Sequence, residues 1–474
     1  MRIACLPIDS RPCNTQFIES LVSWTGSEAI FPRPDEMDDF RAPANYEANL
    51  AFLSRELPRC DAAVISLDHW CYGSLLASRE DDVSKEEALR RVRELSDLLG
   101  RYPHKPVYMS SVILRSSISA FSVNDLDAYN AMTEYSIAWD RFEQFGAEED
   151  KKKMDAASGR IPEAVLKKAL WARERNLAVN LAAIDLAKAG SVKALSILQE
   201  DSQPFGLPKK DQREIMQRMR AAGVTNVFLR NGTDEAGALS AAEALWAGNP
   251  PLPVEIIYLG KGDFTAPYED RPFRENMESA CREMGIQSKE NSETTIIVCC
   301  PPNGEMLEAT ALRDSAALDD YAYRIKEKIQ EGKRVYVLDL LGANGGSAAL
   351  ARRLSFADAL WGYCAWNTAS NAMGTLLAQV LSDALRGEKN EAFFQERWLD
   401  DYVYQTHIRA MLSQELSARG QDIYSLENRQ EADRLLAQLY QKHLPALWPL
   451  KELPAYSVRL PWPRTFEVLA QMET

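Results

Sequence analysis

The sequence predicts an α/β protein with mostly parallel sheets flanked by helices, followed by a largely helical C-terminal region. Three observations predict it. Short apolar runs alternate with amphipathic helical segments over the first 340 or so residues. Polar clusters stand at the ends of several of those runs, where loops leave strands. From Asn371 onward helical periodicity replaces the strand-like runs. A strand–helix series of this kind argues for a parallel sheet covered on both faces.

Ile3 to Leu6 reads as a buried strand that runs into Pro7-Ile8-Asp9-Ser10-Arg11-Pro12-Cys13-Asn14. Ala62 to Leu67 is the next strand and ends at Asp68. Ser84 opens a helix with Glu87 three residues on, a capping box, and Ala88, Val92, Leu95 and Leu98 form its apolar side. Pro106 to Met109 is a third strand. Residues 120 to 190 read as helical, in pieces Asn124 to Phe145 and Ile161 to Ala189, broken near Ser158-Gly159. A strand at Ala194 to Leu198, a polar loop from Gln199 to Gly206 and a helix over Lys209 to Ala221 follow. Val224 to Leu229 is again a strand, and a helix reaches Trp246.

Gly248-Asn249-Pro250 turns the chain and marks a border. Beyond it come strands Val254 to Leu259, Thr295 to Cys300 and Val335 to Leu338, with a helix over Leu312 to Gln330. Helices follow at Ala372 to Leu385, Phe393 to Leu416 and Leu426 to Leu439, and a Pro-, Trp- and Leu-rich tail from His443 to Thr474 packs over the body. The expected domains are a Rossmann-like α/β domain over 1–249 with a helical insertion around 120–190, a second α/β lobe over 250–385, and a helical region over 386–474.

Composition narrows the function. The 474 residues suffice for about two or three domains, and 46% hydrophobic with 26% charged residues is ordinary for a globular chain. No apolar run is long enough to span a membrane, and charges follow the first apolar residues too soon for a signal peptide. The expected location is the cytoplasm. A net charge of −14 without a basic cluster argues against nucleic acid as a partner. The eight cysteines form no CxxC pair, and the four histidines form no HxxH pattern, so reduced structural thiols are expected rather than structural zinc. No GxGxxG or GxxxxGK[ST] motif supports a nucleotide cofactor, and no GxSxG elbow supports a serine triad.

The candidate site residues are those at strand ends, where open α/β sheets collect ligands. Asp9 follows the first strand in a loop stiffened by Pro7 and Pro12, with Arg11 to fix a carboxylate or an anionic substrate and Asn14 beside it. Asp68 ends the second strand, with Gly73 and Arg79 beyond it. Glu200 and Asp201 follow the strand ending near Leu198. Asp234 lies in Asn231-Gly232-Thr233-Asp234-Glu235, a sequence equally suited to helix capping. Asp339 precedes Asn344-Gly345-Gly346, equally suited to a structural turn. Trp366, Asn367 and Asn371 would offer an apolar wall and amides for a hydroxyl-rich ligand, or lock a loop.

These blocks together resemble a bacterial family known as domain of unknown function 4127. Pro7 to Asn14 is similar to its signature Pro-x-Asp-x-Arg-Pro-x-Asn, and Asp68 to Arg79 to its Asp, Tyr-Gly and Ser-Arg block. Gln199 to Gly206 resembles a Gln-Asp-Asp block with Glu200 in place of the first Asp. Gly232 to Glu235 and Asn344-Gly345 have counterparts as well. Trp366 to Asn371 resembles Gly-Trp-Asn-Thr-x-x-Asn, with Ala365 where a Gly is usual. The resemblance covers about residues 1 to 410. It implies a shared pocket and names no reaction.

The residue types point first to a carboxylate-dependent hydrolase of a sugar-like polar substrate, in the manner of a glycoside hydrolase. Asp9, Asp68 and Asp201 form the catalytic pool, with Asp68 as acid, Asp201 as base or nucleophile, and Asp9 positioned by Arg11. Arg11, Asn14, Arg79, Asp234, Asp339, Asn344, Trp366, Asn367 and Asn371 form the substrate-binding set. One alternative is a phosphoester or sugar-phosphate hydrolase that uses a divalent cation held by the same oxygens. The other is a non-catalytic small-molecule binder. No cofactor beyond such a cation is expected. The expected partner is a small polar or carbohydrate-like ligand, on a monomer or small homo-oligomer, with no membrane and no nucleic acid.

Overall fold

A computed structural model describes residues 1–449 and 452–473. Leu450, Lys451 and Thr474, all in the predicted tail, lie outside the described residues. The chain forms two compact units, Met1–Ala244 with Tyr268–Asp270, and Leu245–Pro267 with Arg271–Thr474.

The first unit is built on six strands: β1 (Arg2–Leu6), β2 (Glu28–Ile30), β3 (Ala62–Ser66), β4 (Val107–Ile113), β5 (Ala194–Gln199) and β6 (Val227–Asn231). Their order is β2-β1-β3-β4-β5-β6, and every neighbouring pair is parallel, with Cys5 opposite Val64 and Gln199 opposite Asn231. Residues of β1, β3, β4 and β5 are buried throughout, apart from Arg2 at the first end, because helices cover both faces. The N-cap half of the predicted Ser84 capping box forms, its Oγ accepting from the Glu87 amide at 3.1 Å, while the Glu87 carboxylate pairs with Arg90 and Arg91. The helical insertion holds three helices, Leu126–Phe145, Glu148–Ser158 and Glu163–Lys188. β4 outruns its predicted span because two buried serines, Ser110 and Ser111, interrupt the apolar run. Ser111 bonds Asn180 at 2.5 Å, which makes its burial tolerable.

The second unit repeats the arrangement. β7 (Leu252–Leu259), β8 (Ile286–Ser288), β9 (Thr294–Cys299), β11 (Arg334–Asp339) and β13 (Gly362–Cys364) lie in the order β13-β11-β9-β7-β8, all parallel. Numbered within the unit, that is again 2-1-3-4-5, the order of the first five strands of the first unit. Short strands β10 (Leu307–Glu308) and β12 (Gly342–Ala343) pair beside it. Val335 and Val337 of this sheet share one hydrophobic core with Trp398, Leu436 and Tyr440, so the C-terminal helices complete this unit. The short strands β8, β10, β12 and β13 and the helix Phe273–Glu283 had no predicted counterpart, and two larger features also depart from the predicted pattern. The segment Trp398–Ile408 is a π-helix joining helices Glu391–Arg397 and Arg409–Ala418. The tail contains an antiparallel ribbon of β14 (Tyr456–Arg459) and β15 (Leu469–Met472).

All eight cysteines are buried free thiols. Among the described residues no helix is long and apolar enough to cross a membrane.

Candidate functional site

In a 2-1-3-4-5 parallel sheet the strand order reverses between β1 and β3, and ligands collect outside the carboxyl ends of the strands there. Asp9 and Arg11 leave β1 at this point of the first unit, and Asp68 leaves β3. Arg115 follows β4, Glu200 and Asp201 follow β5, and Asp234 and Glu235 follow β6.

Arg11 ties two of these loops together. Its Nη2 lies 2.7 Å from Asp9 Oδ2 and 2.6 Å from Asp234 Oδ1, and its Nη1 donates to Asp234 Oδ2 at 3.1 Å. Asp9 also accepts from the Arg11 amide, from Arg11 Nε and from Asn14 Nδ2 at 2.8 Å. Burial alone would raise the Asp9 carboxyl. The Arg11 charge and this set of donors outweigh burial and hold it below its ordinary value. Asp9 is therefore an anion bound on every side by its own loop. Burial pushes Asp234 up to about 6, against the pull of Arg11.

A second network lies across β4 and β5. Arg79 pairs with Glu200 and donates to Ser119 Oγ at 2.9 Å. Arg115 lies 2.7 Å from Asp201 and 3.8 Å from Glu200, and donates to Ser117 Oγ at 2.7 Å. Asp201 holds a left-handed backbone, φ 38°, which a non-glycine residue keeps only under constraint. Asp68, on the first turn of the short helix Leu67–Tyr72, accepts the Val112 amide at 2.9 Å. Burial pushes Asp68 up to about 7; the Val112 hydrogen bond opposes this, and repulsion from Glu200 adds to it. Burial likewise pushes Glu235 up to about 8. His69 is driven down to about 4 by burial, so its ring is neutral at pH 7.

The long helix Glu163–Lys188 fixes the loop that carries Arg79. Arg175 donates to the carbonyls of Ser78, Glu80 and Val83, and Asn176 donates to that of Ser78. Beside Arg79 and Arg115, a cavity of about 210 Å³ opens along the 114–121 segment.

The remaining predicted residues belong to the second unit. Asp339, at the end of β11, accepts from the amides of Leu341 and Ser347 and from the Tyr363 hydroxyl at 2.9 Å. Its carboxyl closes its own loop. Asn344 and Asn367 both adopt left-handed backbone, φ 60° and 61°, and the Asn344 amide donates to the Asn367 carbonyl at 2.8 Å. Asn344 Nδ2 reaches Glu308 at 2.9 Å. Thr368 caps the helix Ala369–Arg386 on the Asn371 amide, and Trp366 is buried in the loop before it. The π-helical segment anchors both loops: Asp401 accepts from the Ala365 amide through its side chain and from the Gly346 amide through its carbonyl. Thr406 donates to the Gly346 carbonyl.

Arg115, Arg175 and Asn176 were not among the sequence candidates, and Glu235 stood only within the Asn231-to-Glu235 block. Arg115 stands two residues past the end of β4, as Asp68 does past β3, and Asp9 stands three past β1. A β4 read through Ser110-Ser111 to Ile113 would have exposed it.

A family model described as "Protein of unknown function (DUF4127)" matches residues 3–471. No curated protein matches the chain. Among solved structures, a family 1 β-glucosidase from Thermotoga maritima aligns over 71% of this chain and 75% of its own, at 10% identity and a TM-score of 0.14. A likeness of that size carries no argument about fold or activity.

Proposed function

Starting from a chain that belongs to the DUF4127 family, we propose that its first unit is a carboxylate-dependent hydrolase of a polar, sugar-like substrate. One observation supports this reading above others. A carboxyl raised to about 7 by burial, Asp68, feels the field of Glu200 two strands away, and the arginines that hold Glu200 and Asp201 line a cavity. A carboxylic acid working with a second carboxylate is the usual acid and base of such chemistry.

In this reading Asp68 donates its proton to the leaving oxygen as the scissile bond breaks. Asp201, held by Arg115, takes a proton from the attacking water or attacks directly. Asp9, Arg11, Asn14 and Asp234 are positioning residues: their mutual bonds set the β1 and β6 loops and leave Asp9 no spare acceptor. Carboxylates carry the proposal rather than a divalent cation, because Arg11, Arg79 and Arg115 already neutralise Asp9, Asp234, Glu200 and Asp201 as ion pairs. Among the described residues no three His, Cys, Asp or Glu side chains gather as ligands.

The test is turnover of a panel of nitrophenyl glycosides by the full chain and by Asp68→Asn and Asp201→Asn. Each substitution is expected to lower kcat by about 10²–10⁴, with the circular dichroism spectrum kept. Wild-type rates retained in Asp68→Asn, or no turnover of any glycoside, would overturn the reading.

A further inference from the structure

The cavity beside Arg79 and Arg115 has a chemistry of its own. At about 210 Å³ it is smaller than the roughly 300–1,000 Å³ of pockets for drug-sized ligands, so it fits a compact group or one end of a larger molecule. Its polar wall is dominated by donors. Ser117 and Ser119 accept hydrogen bonds from Arg115 and Arg79. A hydroxyl used this way still has its own proton to give. Ser116 is 2% exposed, and among the described residues its Oγ has no hydrogen-bond partner. Arg79 Nε is also buried without an acceptor. At the rim, the Arg41 guanidinium stacks on the Phe121 ring at 4.6 Å and meets no carboxylate among the described residues.

Buried donors without acceptors are costly unless something fills the site. Water would serve such donors, but it brings protons of its own and no charge. An oxyanion offers acceptors only, and it answers the cation at the rim. Two further lining cations do not compete for it: Lys168 pairs with Glu80 and Arg173 with Asp211, each at 2.6–2.7 Å. The same two arginines that line the cavity also grip Glu200 and Asp201, so a group seated there adjoins the carboxylates.

We propose that this cavity is an anion subsite, and that the molecule acted on is a sugar-like substrate bearing a carboxylate or phosphate. The anion is held by Arg41, Arg79 Nε and the hydroxyls of Ser116, Ser117 and Ser119. The substrate class rests on the hydrolase reading above; the anion site itself does not.

Calorimetry on the full chain tests it, with glucuronate and glucose 6-phosphate as anionic probes and glucose as the neutral control at fixed ionic strength. At least one anionic probe is expected to bind about tenfold or more tightly than glucose. The stronger of the two identifies the head group. Arg41→Gln, at an exposed position, and Ser119→Ala are each expected to weaken that binding about fivefold or more. Equal binding of all three sugars would overturn the proposal. So would a preference for anions that neither variant reduces. Should Ser119→Ala fail to fold, Arg41→Gln alone gives the reading. Anion binding with no glycoside turnover would sink only the hydrolase reading. Turnover of neutral glycosides without any anion preference would sink only this one.

Discussion

Arg11 holds two carboxylates, Asp9 in its own loop and Asp234 at 223 residues' separation, and its planar fork makes this geometry possible. Replacing it with Leu leaves Asp9 and Asp234 facing each other without a cation. Loss of one partner from a buried pair costs roughly 3–5 kcal/mol, and urea unfolding should show a drop of that order. Asp234→Asn should cost clearly less, since Asp234 already lies at about 6. Equal losses would mean that Arg11 does not carry the loop. Asp68 makes a separate prediction. A general acid works only while protonated, so kcat should fall as pH rises through about 7. An alkaline limb that persists in Asp68→Asn would belong to another group. Asp9, Asp68 and Asp201 were legible because each stands just past an apolar run. The hold of Arg11 on Asp9 was legible as well, from their spacing in one loop; that Asp234 shares the same guanidinium was not, since it comes from the far end of the unit.

Among the elements, the short helix Leu67–Tyr72 matters most to the site because it presents Asp68. It stops at Gly73, φ 98°, where a Cβ would lie 2.7 Å from the Ala44 carbonyl oxygen. Gly26 also has positive φ, 76°, but a Cβ there meets nothing within 4 Å. Gly26→Ala should therefore cost only about 1 kcal/mol. Gly73→Ala should cost distinctly more and reduce activity too, because the chain must move where Asp68 is anchored. Thermal unfolding of the two variants checks it, and similar melting temperatures would refute the close approach. Local patterns indicated most helices of this fold and the Ser84 cap. They missed the π-helical segment Trp398–Ile408, because its apolar spacing differs little from an α-helix over so short a stretch. Only its packing against the 344–346 and 365–366 loops shows why Asn344, Asn367 and Asn371 stand where they do.

For the whole molecule, buried carboxyls set the response to pH. Asp234 at about 6, Asp68, Asp383 and Asp401 at about 7, and Glu235 at about 8 all lie above their ordinary values. The folded state keeps their protons longer than the unfolded chain does. Their stabilising effect is complete below the unfolded values of 3.8 to 4.5 and is lost as pH climbs through 6 to 8. His69 acts in the opposite sense: its effect is present above 6.5 and lost as pH falls through about 4. Between 6.5 and about 8 the carboxyls act alone, so the melting temperature should decline across that window. A flat or rising profile there would contradict the burial of these groups. The sequence alone determined the α/β class, the positions of most strands and the polar residues that close them, because hydrophobic periodicity and strand-end chemistry are local. Only the tertiary structure decided the strand order, the repetition of one topology in two units and the partners of each carboxylate. Those depend on contacts between residues tens to hundreds of positions apart, which no local pattern records.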